Sequence, residues 1–345
     1  MRYALEATGI SFQVVAAIDI NPVSNEIYQH NFGSDNHFQK NLLSFTVADF
    51  EKMNADIITM SPPCQPFTRV GLRKDINDTR SSSFLHILKV ISLLQKKPMY
   101  IFVENVQGFE NSIAQSLLLD TLRTCRYQHQ EFLLSPQDFG IPNSRLRYYL
   151  IASLKTNFPF FESLQILHEM PNMKDHMKFL CSNCVNNKKS SCRTKCPIKH
   201  FLEQNSSHHF ESYLVPDAVL LKYWAIMDIV NENGYKSCCF TKAYYRYAQG
   251  TGSILLPIED IEEKAVFDLV CQSEDKKEQL HLLKQLRLRY FTPKEIANLM
   301  CFPNKFDFPP NVNRKQQYKS LGNSLNIFVV ASLLNLLIQD PSENK

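Results

Sequence analysis

The chain has 345 residues, 44% of them hydrophobic, with a formal net charge of +4 and a pI near 8.4. That length allows one large core and a second smaller unit, and the mild basicity permits an anionic partner without demanding one. The longest apolar stretch, Leu325 to Ile338, is interrupted by Asn326 and Asn335 and falls short of the roughly 20 residues a bilayer requires, so no membrane span is expected.

Gln13 to Asp19 reads as a strand ending in an acid, followed by a helix from about Pro22 to Asn31. An acid at such a strand end commonly takes ribose hydroxyls, with capping of the next helix as its bland use. The apolar run Ala55 to Met60 reads as a buried strand that leads into Ser61-Pro62-Pro63-Cys64-Gln65-Pro66. Proline on both sides stiffens the loop, so one thiol is held at the carboxyl end of a strand, where open sheets bind ligands. A helix over Ser83 to Leu94 precedes a second buried strand, Tyr100 to Val106, which carries Glu104 near its end. A helix from Asn111 to Cys125 follows, then strands at Gln130 to Leu134 and Arg147 to Ile151. In Asn143-Ser144-Arg145-Leu146-Arg147-Tyr148 the period-2 alternation of an extended segment places Arg145 and Arg147 on one face.

From about Leu154 the pattern becomes irregular, polar and rich in lysine and cysteine. Within it Cys181, Cys184, Cys192, Cys196 and His200 have spacings that suit a tetrahedral zinc site, against the alternative of scattered loop cysteines. Order resumes with a helix from Pro216 to Val230 bearing Trp224, and the last helices are Thr292 to Met300 and Leu325 to Leu337, the latter capped by Asn323 or Ser324. Alternating strands and helices predict an α/β fold, a doubly wound sheet with a smaller second domain. The 10 cysteines are few for this length and no charged head with an apolar signal core follows Met1, so a reducing compartment, cytoplasmic or nuclear, is expected.

Taken singly, each of these residues has a structural reading: Cys64 as a small buried hydrophobe, Glu104 as a helix-start acid, the arginine pair as a surface salt bridge. Their order says more. Pro-Pro-Cys-Gln-Pro, Glu104-Asn105-Val106, Arg-x-Arg after Ile-Pro-Asn-Ser, and Gly322-Asn323-Ser324 together resemble the cytosine-5 methyltransferases. Cys238-Cys239-Phe240-Thr241-Lys242, Gly250-Thr251-Gly252-Ser253 and Leu288-Arg289-Tyr290-Phe291-Thr292-Pro293-Lys294-Glu295 are similar to the eukaryotic subfamily that methylates cytosine 38 in the anticodon loop of aspartate tRNA.

That resemblance runs to about Leu337, interrupted around residues 156 to 215. It implies a Rossmann-like catalytic domain over 1–154, a target-recognition domain over 155–287 that includes the variable insert, and a return to the catalytic domain over 288–345. It implies S-adenosyl-L-methionine as cofactor, held by Asp19, Ile20, Leu42, Leu43, Ser61 and Ser324, and catalysis by Cys64, Glu104, Arg145 and Arg147. Cys239, Thr241 and Lys242 would meet the substrate. The implied partner is tRNA, with DNA as the alternative substrate and no obligate protein partner evident.

Burial is expected to raise the pKa of Glu104 toward the protonated form. The family's opening strand and glycine-rich cofactor loop have no counterpart before Met1-Arg2-Tyr3-Ala4-Leu5-Glu6, which resembles the helix after that loop, and the 9 glycines offer no substitute. A catalytically silent tRNA-binding form is therefore the alternative from another functional class, and this chain is expected to fold poorly and to show no measurable binding of S-adenosyl-L-methionine.

Overall fold

The computed structural model describes residues 1–63, 81–155, 165–171, 195–205, 207–257 and 263–338. Contacts divide the chain into two compact units, one comprising 1–135, 146–176 and 327–345, the other 136–145 and 177–326.

The first unit begins with α1 (Arg2–Ala7), β1 (Ala17–Asp19) and α2 (Pro22–Phe32). The expected strand from Gln13 shortens to β1, because only Ala17–Asp19 finds a partner, in parallel register with β2 (His37–Gln39). Asn21 caps α2 by accepting the N–H groups of Val23 and Ser24, with Pro22 in the first turn where its missing N–H costs nothing. A 3₁₀ turn, Leu42–Ser44, and α3 (Val47–Met53), which starts with a reciprocal Thr46/Asp49 capping box, lead to β3 (Ile57–Met60). Then come α4 (Ser82–Leu93), β4 (Tyr100–Val106), α5 (Ile113–Thr124), β5 (Gln128–Leu134) and β6 (Arg147–Ser153).

The four-stranded sheet has the order β3-β4-β6-β5, in which β3 and β4 are parallel and β6 runs antiparallel to both neighbours. Alternation gives its two faces different loads. Ile101, Val103, Leu150 and Ala152 share one face and pack with Phe84, Ile87, Leu88 and Ile91 of α4 and Leu118 and Leu122 of α5. Phe102 and Tyr149 lie on the other, where the final helix, Ile327–Ile338, packs on β4 and β6 and against α1. Helices on both faces make β4 a nearly continuous buried run, as a doubly wound fold requires. Among the described residues no strand pairs with the outer edge of β3 or the second edge of β1.

The second unit holds α6 (Ser207–Glu211), α7 (Asp217–Tyr223), α8 (Glu263–Gln272), α9 (Lys276–Gln285), α10 (Pro293–Leu299), α11 (Arg314–Gly322) and a small sheet β7-β8-β9 (Ile229–Asn231, Ile254–Leu256, Arg289–Tyr290). The helix expected over 216–230 is shorter: Tyr223 leaves helical geometry (φ −130°, ψ 0°), a 3₁₀ turn follows at Trp224–Ile226, and Ile229–Asn231 pairs with β8 instead. The expected cap of the last helix is also corrected. Asn323 is the C-cap of α11, donating its N–H to Lys319 and Leu321 carbonyls, and the final helix, α12 (Ile327–Ile338), starts beyond Ser324. Among the described residues the one stretch apolar and long enough for a bilayer, Arg314–Ile338, is two helices, and its most apolar window is 61% buried, as core helices are.

Buried Arg289 and Glu295 form a two-point ion pair, with Nη2 to Oε1 at 2.7 Å and Nη1 to Oε2 at 2.8 Å, and Glu295 also closes the capping box of α10 by accepting the Thr292 N–H. The Leu-Arg-Tyr-Phe-Thr-Pro-Lys-Glu segment is therefore a framework element that ties β9 to α10.

Candidate active site

Parallel pairing fixes one side of the site. Met60, the last residue of β3, lies opposite Val103, so the chain leaving β3 at Ser61 departs from the sheet at the level of Glu104. Ser61 and Pro63 are exposed there. Cys64 lies outside the described residues.

Glu104 is 9% exposed. Its placement beside Arg147 follows from the β4–β6 register: Arg147 lies opposite Val106, and Glu104 shares that face two residues away. Diagonal neighbours in an antiparallel pair are within reach of long side chains, and Arg147 Nε sits 3.7 Å from Glu104 Oε1 with both side chains mostly buried. A fixed opposite charge thus accompanies the carboxylate, a partner the alternation of Arg145 and Arg147 did not indicate. Asn105, 1% exposed, has an Nδ2 with no hydrogen-bond partner among the described residues, although its Oδ1 accepts the Val106 N–H. A buried amide donor held without a partner costs stability, and it stands in the strand that carries Glu104.

Of the expected cofactor residues, five lie at the carboxyl ends of parallel strands in the first unit. Asp19 ends β1, and one carboxylate oxygen accepts the Asn21 N–H at 2.8 Å. Helix capping falls to Asn21, so the bland use of Asp19 does not apply. Ile20 is 63% exposed and Leu43 is 44% exposed, whereas Leu42 is half-buried against the core. Exposed apolar side chains beside an exposed carboxylate are the donor set a purine nucleoside needs: a flat apolar surface and an acceptor for ribose hydroxyls. The residues present fit S-adenosyl-L-methionine in that respect. Ser324 belongs to the second unit.

There a second constellation forms around Arg145, which is 3% exposed. Nη1 donates to Cys239 Sγ at 3.5 Å and to the Phe240 carbonyl at 3.2 Å; Nη2 donates to the Gly322 carbonyl at 3.1 Å and to that of Ser324. The strand alternation expected to place Arg145 and Arg147 on one face does not reach Arg145. Arg145 precedes β6, so strand alternation does not govern it, and its guanidinium is committed to main-chain carbonyls from two distant segments. Planar forked donors suit that work.

Neighbouring bonds tighten the same node. Asn143 Nδ2 donates to Ser237 Oγ at 3.1 Å and to the Cys238 carbonyl at 3.0 Å, and Ser237 Oγ donates to the Pro142 carbonyl. The Ile-Pro-Asn-Ser lead, the Cys-Phe-Thr-Lys segment and Gly-Asn-Ser are thus one interlocked structure. Their sequence separations, 94 to 179 residues, hid this. At Gly322 an added Cβ would sit 2.2 Å from Lys242 N and 2.3 Å from the Thr241 carbonyl carbon, and at Gly252 (φ +151°) one would meet the rings of Tyr244 and Phe240 at 2.6–2.8 Å. Gly322→Ala must push backbone away from backbone. It is expected to lower the melting temperature, and an unchanged melting curve would refute the close contact.

Thr241 is held from both sides, its N–H donating to the Thr251 carbonyl at 2.8 Å and its Oγ1 accepting the Ala243 N–H, while Lys242 is exposed. Cys238 is a different thiol from its neighbour. Burial, with Asp228 as bonded and charged neighbour, pushes its pKa up to about 11. It stays protonated at neutral pH, and its alkylation by iodoacetamide should accelerate only as pH approaches that value. Rapid labelling of Cys238 at pH 8 in the folded protein would contradict this.

For the zinc expectation, Cys181, Cys184 and Cys192 lie outside the described residues; Cys196 is buried and donates its N–H to the Gly140 carbonyl.

The model of the C-5 cytosine-specific DNA methylases matches residues 1–339. A tRNA (cytosine(38)-C(5))-methyltransferase of Bos taurus is 41% identical over 377 residues, covering 98% of this chain and 96% of the relative. A DNA (cytosine-5)-methyltransferase of Dictyostelium discoideum is 35% identical over 363 residues, covering 99% and 92%. The crystal structure of a DNMT2 mutant from Spodoptera frugiperda superposes with a TM-score of 0.84 at 38% identity, covering 98% of this chain and 96% of that one.

Proposed function

The chain belongs to the C-5 cytosine-specific DNA methylase family and is a cytosine-5 methyltransferase, and from that premise we propose that its substrate is cytosine 38 in the anticodon loop of tRNA, that of aspartate in particular. The extent of similarity to relatives named tRNA (cytosine(38)-C(5))-methyltransferase supports the choice of tRNA and of position 38. So does chemistry: loop bases are already unstacked and cost little to extrude into a site.

S-adenosyl-L-methionine, when bound, supplies the electrophilic methyl group. Carbon 5 of cytosine is a poor nucleophile until a thiolate adds at carbon 6 and makes the ring an enamine, and Cys64 is the residue we assign to that addition. The addition puts negative charge on the ring. Glu104 would relieve it by donating a proton at ring nitrogen 3, and Arg147, 3.7 Å from the Glu104 carboxylate, would hold that carboxyl in place. After methylation a base removes the proton from carbon 5, the ring expels the Cys64 thiolate, and ring nitrogen 3 returns its proton to Glu104, so that both residues are regenerated. The observation that carries the assignment is the β3–β4 register, which starts the Cys64 loop at the level of Glu104. Arg145 acts in this reading through the main chain it holds, as a positioning residue.

Tritium transfer to a tRNA(Asp) transcript, to the same transcript with uridine at position 38, and to a DNA duplex tests the reading. Methylation of the first alone is expected. Incorporation into DNA and not tRNA would favour the second reading, DNA methylation, for which the Dictyostelium relative is the supporting observation.

A further inference from the structure

We infer that the exposed segment Lys242 to Tyr247 is a stacking platform for unpaired bases of the RNA substrate. The inference rests on the tRNA reading above and extends it from Lys242 to Tyr245, Arg246 and Tyr247, to which no role has been assigned.

The segment is built rigidly from below. Tyr244 points inward, buried, its hydroxyl donating to the Ser253 carbonyl at 2.7 Å and accepting the Phe291 N–H at 2.9 Å. Arg246 donates its N–H to the Ala243 carbonyl, and Thr251 Oγ1 donates to the Tyr247 carbonyl at 2.7 Å. On that base the chain turns through Tyr245 at φ +71°, a left-handed conformation that costs an aromatic residue free energy and is kept only where surrounding structure enforces it. The turn lays the Tyr245 ring along Tyr318 (centroids 5.5 Å, 30°) and edge-on to Tyr290 (4.9 Å, 71°), yet leaves Tyr245 38% exposed. Tyr247 is 60% exposed, with the Arg246 guanidinium 5.6 Å from its ring centre.

Two aromatic rings held open to solvent, beside the exposed cations Lys242 and Arg246, have the chemistry of a single-strand binding surface. No aspartate or glutamate occurs between Phe240 and Ser253 to repel phosphate. A duplex keeps its base faces to itself and would meet only the two cations, so the platform selects unpaired nucleotides. Its rigidity means that little ordering is required when RNA arrives.

Fluorescence anisotropy of the full chain with a labelled tRNA anticodon stem-loop, and with a blunt RNA duplex of equal length, tests this. Tyr247→Ala should weaken stem-loop binding on the order of tenfold, the loss of one stacked base, and leave duplex binding unchanged. Tyr247→Phe, which keeps the ring, should bind both RNAs as the parent does, and Arg246→Ala should reduce the salt slope of stem-loop binding by about one. Thermal denaturation of each variant separates loss of the ring from loss of fold. Parent-like stem-loop affinity in Tyr247→Ala, or equal losses on both RNAs, would overturn the platform. If the parent meanwhile methylates tRNA, the substrate reading stands without it; a parent that methylates DNA and ignores tRNA defeats the substrate reading itself.

Discussion

Cys64→Ala is expected to abolish methyl transfer, lowering kcat by more than about a thousandfold, which is a barrier increase of over about 4 kcal/mol. Affinity for tRNA should change little, because the thiolate makes its bond to carbon 6 only during reaction and contributes nothing to ground-state binding. A 5-fluorocytosine substrate adds a second readout. Once carbon 5 of that base has taken the methyl group it carries fluorine and no proton, so the elimination that expels the thiolate is blocked and the parent protein, supplied with S-adenosyl-L-methionine, should be trapped as a covalent complex stable to denaturing gels. Cys64→Ala should give no such band. Cys238 is unsuited to substitute, since its thiol is pushed up to about 11 and holds its proton at neutral pH. Turnover by the alanine variant near that of the parent would remove the assignment of Cys64.

What the sequence disclosed was whatever depends on neighbours in the chain. Tyr100 to Val106 is apolar enough on both faces to be read as a buried strand, and Glu104 is conspicuous as the charge within it. Asn21-Pro22 carries a helix start that points to Asn21 as the cap, a signal that was present although Asp19 was the residue weighed for it. The three-residue strands β1 and β2 give too little periodicity to delimit: β1 ends where pairing with β2 ends, and β2 cannot be read without its partner. Arg145 is the instructive case. Alternation along Arg145-Leu146-Arg147 suggested a matched pair, but the partners of Arg145 are carbonyls 95 to 179 residues away, and no local pattern encodes them. Its bonds to Cys239, Phe240, Gly322 and Ser324 are tertiary and leave no trace in the sequence around it.

Glu104→Gln is expected to reduce kcat by about a hundredfold to ten-thousandfold, the range for removing a positioned general acid. The variant keeps the shape of the side chain and a hydrogen-bonding end, so the sheet should survive. Since Glu104 and Arg147 retain 12% and 15% of their side-chain exposure and stand 3.7 Å apart, losing the ion pair should cost less than the roughly 3–5 kcal/mol of breaking a fully buried one. A thermal melt can check that bound. Arg147→Lys preserves the charge but not the planar fork and should cost at least about tenfold, or 1.4 kcal/mol.

The combination of the two substitutions separates the roles. If Arg147 works by holding the Glu104 carboxyl, its hold has no effect on rate once Glu104→Gln has removed the acid, and the double variant should be no slower than Glu104→Gln alone. If Arg147 instead binds the base or a phosphate directly, the two losses should multiply and KM for tRNA should rise with Arg147→Lys in either background. Additive losses would therefore move Arg147 from positioning the acid to contacting the nucleic acid, while near-parent kinetics for Glu104→Gln would take the acid itself out of the reaction.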